Sequence, residues 1–430
     1  MTIAFTSLLV ILVLATLLGM PIGLAMIVSG TVYLVVAGQD LSMGAEQVLT
    51  GMTNNYIFLA VPMFILAANI MNASAMTDRL FEFAKLFVGR MKGGLAQVDV
   101  VVSIIFSSMS GSAIADAAGP GMMSLRAMEK AGYSRSYAAA VIAASATLSP
   151  IIPPSIPLIL YAVVSSTSVG ALFIGGIGPG LLMAVALIVT TAWIAHRRNF
   201  PAGEGVPRHL WLQTVVRSLL PLSMPMILLG GLYSGVFTPT EAAAVGAAYA
   251  LFLAALVYRV LGFHGFYRIL VDSSRTTASL SLVLAGSFLL NYVIVIEQVP
   301  LHLAALFERI EFSPLGFLLM VNVIFLVLGC FLETTIMILV IVPLLLPTMN
   351  MLGINPVYFG LVVTINMMIG LITPPYGILL FVLSNAGRIN LWDIVRDVMP
   401  YIIALLACLM LIILFPEIVL WLPRLAGYAV

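Results

Sequence analysis

Two carboxylates stand where this sequence can least accommodate them. Asp116 ends the run Ser107-Ser108-Met109-Ser110-Gly111-Ser112-Ala113-Ile114-Ala115-Asp116. Glu333 lies in Leu328-Gly329-Cys330-Phe331-Leu332-Glu333-Thr334-Thr335. Both runs interrupt long apolar stretches, and an ionisable group at membrane depth is costly and marks function by default. The small residues of the first run permit a tight turn. Their hydroxyls and carbonyls can cap a half-helix and face a cation. The competing reading is that serine and glycine let helices pack closely. Asp116 can equally be an anchor paired with Arg126 or Lys130, and Glu333 a helix N-cap carboxylate.

Two proline-rich breaks accompany these runs. Ser149-Pro150-Ile151-Ile152-Pro153-Pro154-Ser155-Ile156-Pro157 cannot continue a helix, because each proline removes a donor and obstructs the preceding turn. Gly370-Leu371-Ile372-Thr373-Pro374-Pro375-Tyr376-Gly377 repeats the pattern. Carbonyls freed at membrane depth must find partners or line a polar cavity. Oxygen-only ligands of this kind suit a hard monovalent cation, and half-helix N-termini offer positive dipole ends to an anion.

The elements that must position these residues are membrane spans. Of 430 residues, 62% are hydrophobic and 8% charged, with a formal charge of +1. A soluble domain is roughly a quarter charged, so a soluble enzyme, a nucleic-acid binder and a disordered chain are excluded. No Walker motif, GxSxG, CxxC or clustered histidines occur, and Cys330 and Cys408 read as small buried hydrophobes. The start of the chain has no basic region and reads as a span rather than a leader.

Full spans are expected near 3–37, 55–72, 137–168, 170–195, 219–236, 239–258, 277–297, 357–386 and 400–422. The first is broken at Gly19-Met20-Pro21. Basic residues decide the two remaining stretches, 94–125 and 313–347. Arg79, Lys85, Arg90 and Lys92 precede the first, and Arg126, Lys130 and Arg135 follow it. Keeping both clusters cytoplasmic makes 94–125 a hairpin that enters and leaves on one side. Treating 313–347 likewise, from the outer side, leaves sixteen of the 18 basic residues inside, with Glu297, Glu308, Arg309, Glu311 and Arg424 outside. A pair of tightly turned full-length helices at each place has the same parity. Thr77 to Lys92 reads as an interfacial amphipathic arm with Leu80, Phe81, Ala84, Phe87, Val88 and Met91 on one face. The segments 209–217, 264–275 and 390–397 are weaker versions of it.

The two hairpin regions align without a gap at a shift of 221 residues. Gly132 meets Gly353, Tyr137 meets Tyr358, Pro153-Pro154 meets Pro374-Pro375, and Ser112 meets Glu333. Opposite entry sides make the repeats inverted, the construction of many secondary transporters. The fold class is therefore an all-α polytopic membrane protein of inverted repeats, with two re-entrant hairpins and two broken helices.

These residues resemble a known family. FxxxSGSxxAD, SPxIPPS, GCFLETT…VPLLLP and GLITPPYG together are similar to the large membrane subunit of TRAP (tripartite ATP-independent periplasmic) transporters, over essentially the whole chain. The resemblance implies an elevator-type mechanism in the bacterial inner membrane and coupling to sodium (Na+). It implies a separate small four-helix membrane subunit and a periplasmic substrate-binding protein. It also implies an organic-acid substrate such as a C4-dicarboxylate or sialic acid. Residues 1–93 would be scaffold and arm, 94–168 and 313–388 the transport repeats, 169–312 scaffold and 389–430 a C-terminal helix. One sodium site would use Ser107, Ser110, Gly111, Ser149, Ile152 and Pro154. A second would use Gly329, Glu333 and Thr373. Substrate would sit near Ser112, Asp116, Thr334 and Thr335. The alternatives are a stand-alone ion-coupled carboxylate carrier, a channel and a membrane-embedded enzyme.

Overall fold

The computed structural model describes residues 2–54, 56–74, 76–200, 202–203, 205–302 and 313–430. The expected outer residues Glu308, Arg309 and Glu311 lie outside the described residues. Among those described, every regular element is a helix, apart from an isolated bridge between Lys92 and Ala202. Six helices are long and apolar enough to cross a membrane, or seven if the helices on either side of residue 55 form one span.

Both polar stretches fold as helical hairpins. Hairpin 1 descends from Gly94–Ser110, turns at left-handed Gly111, and returns through Ala113–Ala118 and Pro120–Lys130. Hairpin 2 runs from Pro314–Gly329 to a tip at 330–333 and returns through Thr334–Ile336, the π-helical turn Met337–Ile341 and Val342–Met351. First arms of 17 and 16 residues rise only about 25 Å, less than the roughly 30 Å of a hydrocarbon core. The return arm of hairpin 1 is broken at Gly119, whereas that of hairpin 2, Thr334–Met351, is one of the six helices of spanning length.

Each hairpin packs on a broken helix. The first is Arg135–Ala146 followed by Ile156–Ser165, and the second is Pro356–Gly370 followed by Ile378–Gly387. Both prolyl pairs, Pro153-Pro154 and Pro374-Pro375, have cis bonds. The 221-residue repeat is also written in the backbone. Gly132 and Gly353 both take positive φ. Ser134 and Asn355 both cap the helix that follows, their side chains accepting backbone N–H groups. Ser112 and Glu333 both occupy N-cap positions.

Helices Val169–Arg197 and Leu391–Leu414 pack against the broken helices, the first of them also against hairpin 1. At one end the group is tied by Arg198 to Asp397 at 2.6 Å, and by Tyr401, whose hydroxyl meets Tyr137 at 3.2 Å and Thr191 at 3.1 Å. Helices Ile22–Val36, Ala60–Asn72, Pro239–Phe252 and Phe263–Ile296 form a second group. Within the segment expected as scaffold, Val169–Arg197 packs with the first group, and Pro239–Phe252 and Phe263–Ile296 with the second.

Three sequence expectations are corrected. Residues 3–37 do not form one broken span. Ile3–Leu17 and Ile22–Val36 fold back on each other around Gly19, whose φ is +83°. Thr2 and Tyr33 consequently meet the same carboxylate, Glu297, Tyr33 at 2.9 Å. No basic residue lies in this segment, so charge gave no warning. Segment 264–275 is not a separate surface piece: no glycine or proline interrupts 266–285, and Phe263–Ile296 is one helix. Segment 390–397 likewise opens Leu391–Leu414. The arm is a helix, Met76–Val88, that buries Leu80, Phe81 and Ala84. Phe81 and Ala84 cover Val98 and Val102 of hairpin 1.

Candidate transport site

The tips of the two hairpins meet at one cavity of about 340 Å³. Ser110, Gly111 and Ser112 line it from hairpin 1, and Glu333, Thr334 and Thr335 from hairpin 2. Pro150, Ile156 and Met368 come from the broken helices, and Ile65, Asn69, Thr276 and Leu280 from the second group. Larger clefts elsewhere among the described residues contain no tip residue. One, about 490 Å³, lies beside the arm between Arg79 and Arg217, and another, about 1060 Å³, beside Glu297.

Tip 1 is seated on the first break by a glycine. A Cβ on Gly111 would stand 2.7 Å from the Pro154 carbonyl oxygen, so a side chain there would push the tip off. Gly111 also has φ +60°. Ser112 accepts from Ala115 N–H at 3.4 Å and opens the return helix. Ser155 caps the half-helix Ile156–Ser165, accepting from Leu158 N–H at 3.2 Å, and its hydroxyl donates to the Pro150 carbonyl. The half-helix therefore presents its N-terminal end to the cavity through Ile156 and Pro157.

Tip 2 is seated the same way. Gly329 and Gly370 touch backbone to backbone; a Cβ on Gly370 would lie 2.9 Å from Gly329. Gly377 N–H donates to the Cys330 carbonyl at 3.2 Å. Thr373 donates its hydroxyl to Ile369 at 2.7 Å, and its carbonyl faces Gly377. Thr334 Oγ1 is buried without a hydrogen-bond partner.

The expected residues fall into three places. Ser110, Gly111, Ser112, Glu333, Thr334 and Thr335 share the cavity. Pro154, Gly329 and Thr373 lie at the tip-to-break junctions. Ser107, Ser149 and Asp116 are buried behind tip 1, while the Ile152 side chain faces Gly180 on Val169–Arg197. Asp116 is not among the cavity-lining residues. It accepts from Ser149 Oγ at 3.0 Å, and neither Arg126 nor Lys130 pairs with it. The sequence reading missed two buried pairs. Ser145 Oγ donates to Asp99 at 2.7 Å, and Asn366 Nδ2 donates to Asn322 Oδ1 at 2.7 Å. The signal for the first was present, since Asp99, Ser103 and Ser107 recur every four residues on one helix face.

Chemically, the cavity offers hydroxyls, carbonyls, amides and one carboxylate. Among its described lining residues there is no lysine, arginine or histidine. Oxygen ligands at both tips fit a hard cation. An organic acid would find helix N-termini and hydroxyl donors but no fixed positive charge.

Residues 9–418 match the model of the family described as "Tripartite ATP-independent periplasmic transporter, DctM component". The chain is 40% identical over 412 residues to a sialic acid TRAP transporter large permease protein, SiaM, of Vibrio cholerae, covering 95% of this chain and 96% of that one. It is 37% identical to the C4-dicarboxylate large permease protein DctM of Pseudomonas aeruginosa, over 87% and 88% of the two chains. It is 33% identical to the sialic acid permease protein SiaT of Haemophilus influenzae, covering 95% of this chain and 66% of that one. The Alcanivorax borkumensis YdaH transporter superposes with a TM-score of 0.65 over 87% and 88% of the chains, at 12% identity, a likeness of fold. With hairpins, breaks and family match in agreement, the chain is a multi-pass membrane transporter and belongs to the TRAP transporter large permease family.

Proposed function

We propose that this chain is the large permease subunit of a sodium-coupled, binding-protein-dependent secondary importer of an organic acid in the bacterial inner membrane. The observation that carries the coupling is the charge of the cavity. It holds one exposed carboxylate, Glu333, and no basic residue among its described lining. An anionic substrate entering such a site needs mobile cations to offset both charges, and the oxygens of tip 1, at Ser110 and Gly111, and of tip 2, at Glu333, can each hold one. The substrate is a carboxylate of the kind named for the relatives: sialic acid, a C4-dicarboxylate or 2,3-diketo-L-gulonate. The partners are a separate small four-helix membrane subunit and a periplasmic substrate-binding protein.

The mechanism is of the elevator type. The hairpins, broken helices, Val169–Arg197 and Leu391–Leu414 move as one body. The helices carrying Asn69 and Thr276 stay fixed and form the opposite wall. Uptake into proteoliposomes holding the chain and its cognate partners should require an inward sodium gradient. Undiminished uptake with potassium in place of sodium would defeat the coupling. Full uptake by this chain alone would favour a stand-alone carrier.

A further inference from the structure

Hairpin 1 carries two carboxylates that the cavity does not use. Asp99 is 2% exposed and Asp116 1%. Among the described residues neither pairs with a lysine, arginine or histidine. Their surroundings are hydroxyls. Ser145 donates to Asp99 at 2.7 Å and Ser149 to Asp116 at 3.0 Å. Ser124 lies beside Asp99, and Ser103 and Asp99 beside Asp116. Two buried oxygens in this group lack a hydrogen-bond partner, Asp116 Oδ1 and Ser124 Oγ. Taking carboxylates out of water without a counter-charge is strongly unfavourable.

The second repeat is an internal control. At the shift of 221 residues, Asp99, Ser103, Asp116 and Ser124 become Met320, Ile324, Met337 and Leu345. Met337 is fully buried and Leu345 nearly so. Ser145 becomes Asn366, which is bonded to the neutral Asn322. Met320 is half-buried and Ile324 exposed, so the hairpin fold closes on apolar side chains at the positions equivalent to Asp116 and Ser124, and packing there does not demand the acid of repeat 1.

We propose that Asp99 and Asp116, with the hydroxyls of Ser103, Ser124 and Ser145, form a buried sodium site of repeat 1, additional to the two tip sites. It rests on the sodium-coupled reading for the identity of the ion. The donors are all oxygen, as a hard cation requires. Two carboxylates and three hydroxyls would also suit calcium, which takes six to eight oxygens, so the coupling reading selects sodium and calcium competition tests that choice. The sodium ion lies behind tip 1, beside Ser149, so that its occupancy steadies the tip against its broken helix.

The test is equilibrium binding of ²²Na+ to the purified full chain, with potassium as the replacing cation. Wild type is compared with the double variant Asp99→Met/Asp116→Met, which copies repeat 2, and with Ser124→Ala. The double variant should bind one sodium ion fewer per chain. Ser124→Ala should keep the count but weaken one ion about fivefold, the effect of losing one hydroxyl partner. An unchanged count in the folded double variant overturns the inference. If that variant fails to fold, an unchanged affinity in Ser124→Ala does so. Loss of binding on adding millimolar calcium identifies a divalent site and also overturns it. Wild type that binds no sodium defeats the coupling reading as well, so the two failures are distinct.

Discussion

Glu333 is the carboxylate that hairpin 2 brings to the cavity shared by both tips. It opens the return helix of hairpin 2 without capping it through its side chain, and Thr335 Oγ1 approaches it only at 3.5 Å. Its charge is therefore available to a cation. Glu333→Ala should lower sodium-dependent uptake about tenfold or more, the scale expected for one charged ligand. Ser110→Ala should raise the sodium concentration needed for half-maximal uptake several-fold. Both should express as wild type does, and sodium responses identical to wild type would remove these residues from the site. Glu333 and Ser112 were legible because polar residues in an apolar stretch reveal depth. The direction a side chain faces around its helix was not. Asp116 has the right depth, yet it points between hairpin 1 and its broken helix, where Ser149 meets it. The signal for Asp99 lies outside the tip motif, in the four-residue spacing of Asp99, Ser103 and Ser107 along the first arm of hairpin 1.

The elements depend on glycine contacts that allow two backbones to touch. Gly370 sits against Gly329, where hairpin 2 crosses its broken helix. An added methyl at Gly370 would meet backbone atoms at 2.9 Å, and backbone cannot turn aside as a flexible side chain can. Gly370→Ala should displace the second tip and destabilise the chain by about 1–3 kcal/mol, as overpacking does. A lower thermal midpoint with weaker sodium binding is the expected result. An unaltered midpoint would mean that the two elements separate without cost. Hairpins and breaks were readable because prolines and basic clusters constrain them directly. The N-terminal fold-back was not, since Gly19-Met20-Pro21 permits either a kink or a reversal and no charge lies near it. What settles the matter is Glu297, 276 residues further along than Pro21, which Thr2 and Tyr33 both reach. Such a tertiary partner lies beyond what local periodicity reports.

At the scale of the whole molecule, the cavity lies between two packed groups, and a relative displacement of the groups must change its access. Hairpin 1 and the second group come close at one point well suited to a test. A Cβ on Gly119 would stand 2.8 Å from Asn72 Oδ1 and 3.1 Å from its Cγ. Asn72 ends the helix Ala60–Asn72 of the second group, while Gly119 lies in the return arm of hairpin 1. Cysteines at both positions would be within the few ångströms that a disulfide needs. The native Cys330 and Cys408 are free and buried, so an oxidant should act on the introduced pair. Oxidised Asn72→Cys/Gly119→Cys protein should bind sodium normally but transport almost nothing, and reduction should restore uptake. Each single variant controls for the loss of its own side chain. A fully cross-linked protein that still transports at the reduced rate would show that the groups need not slide past each other here. The site would then open by local movement of the tips, with both bodies at rest.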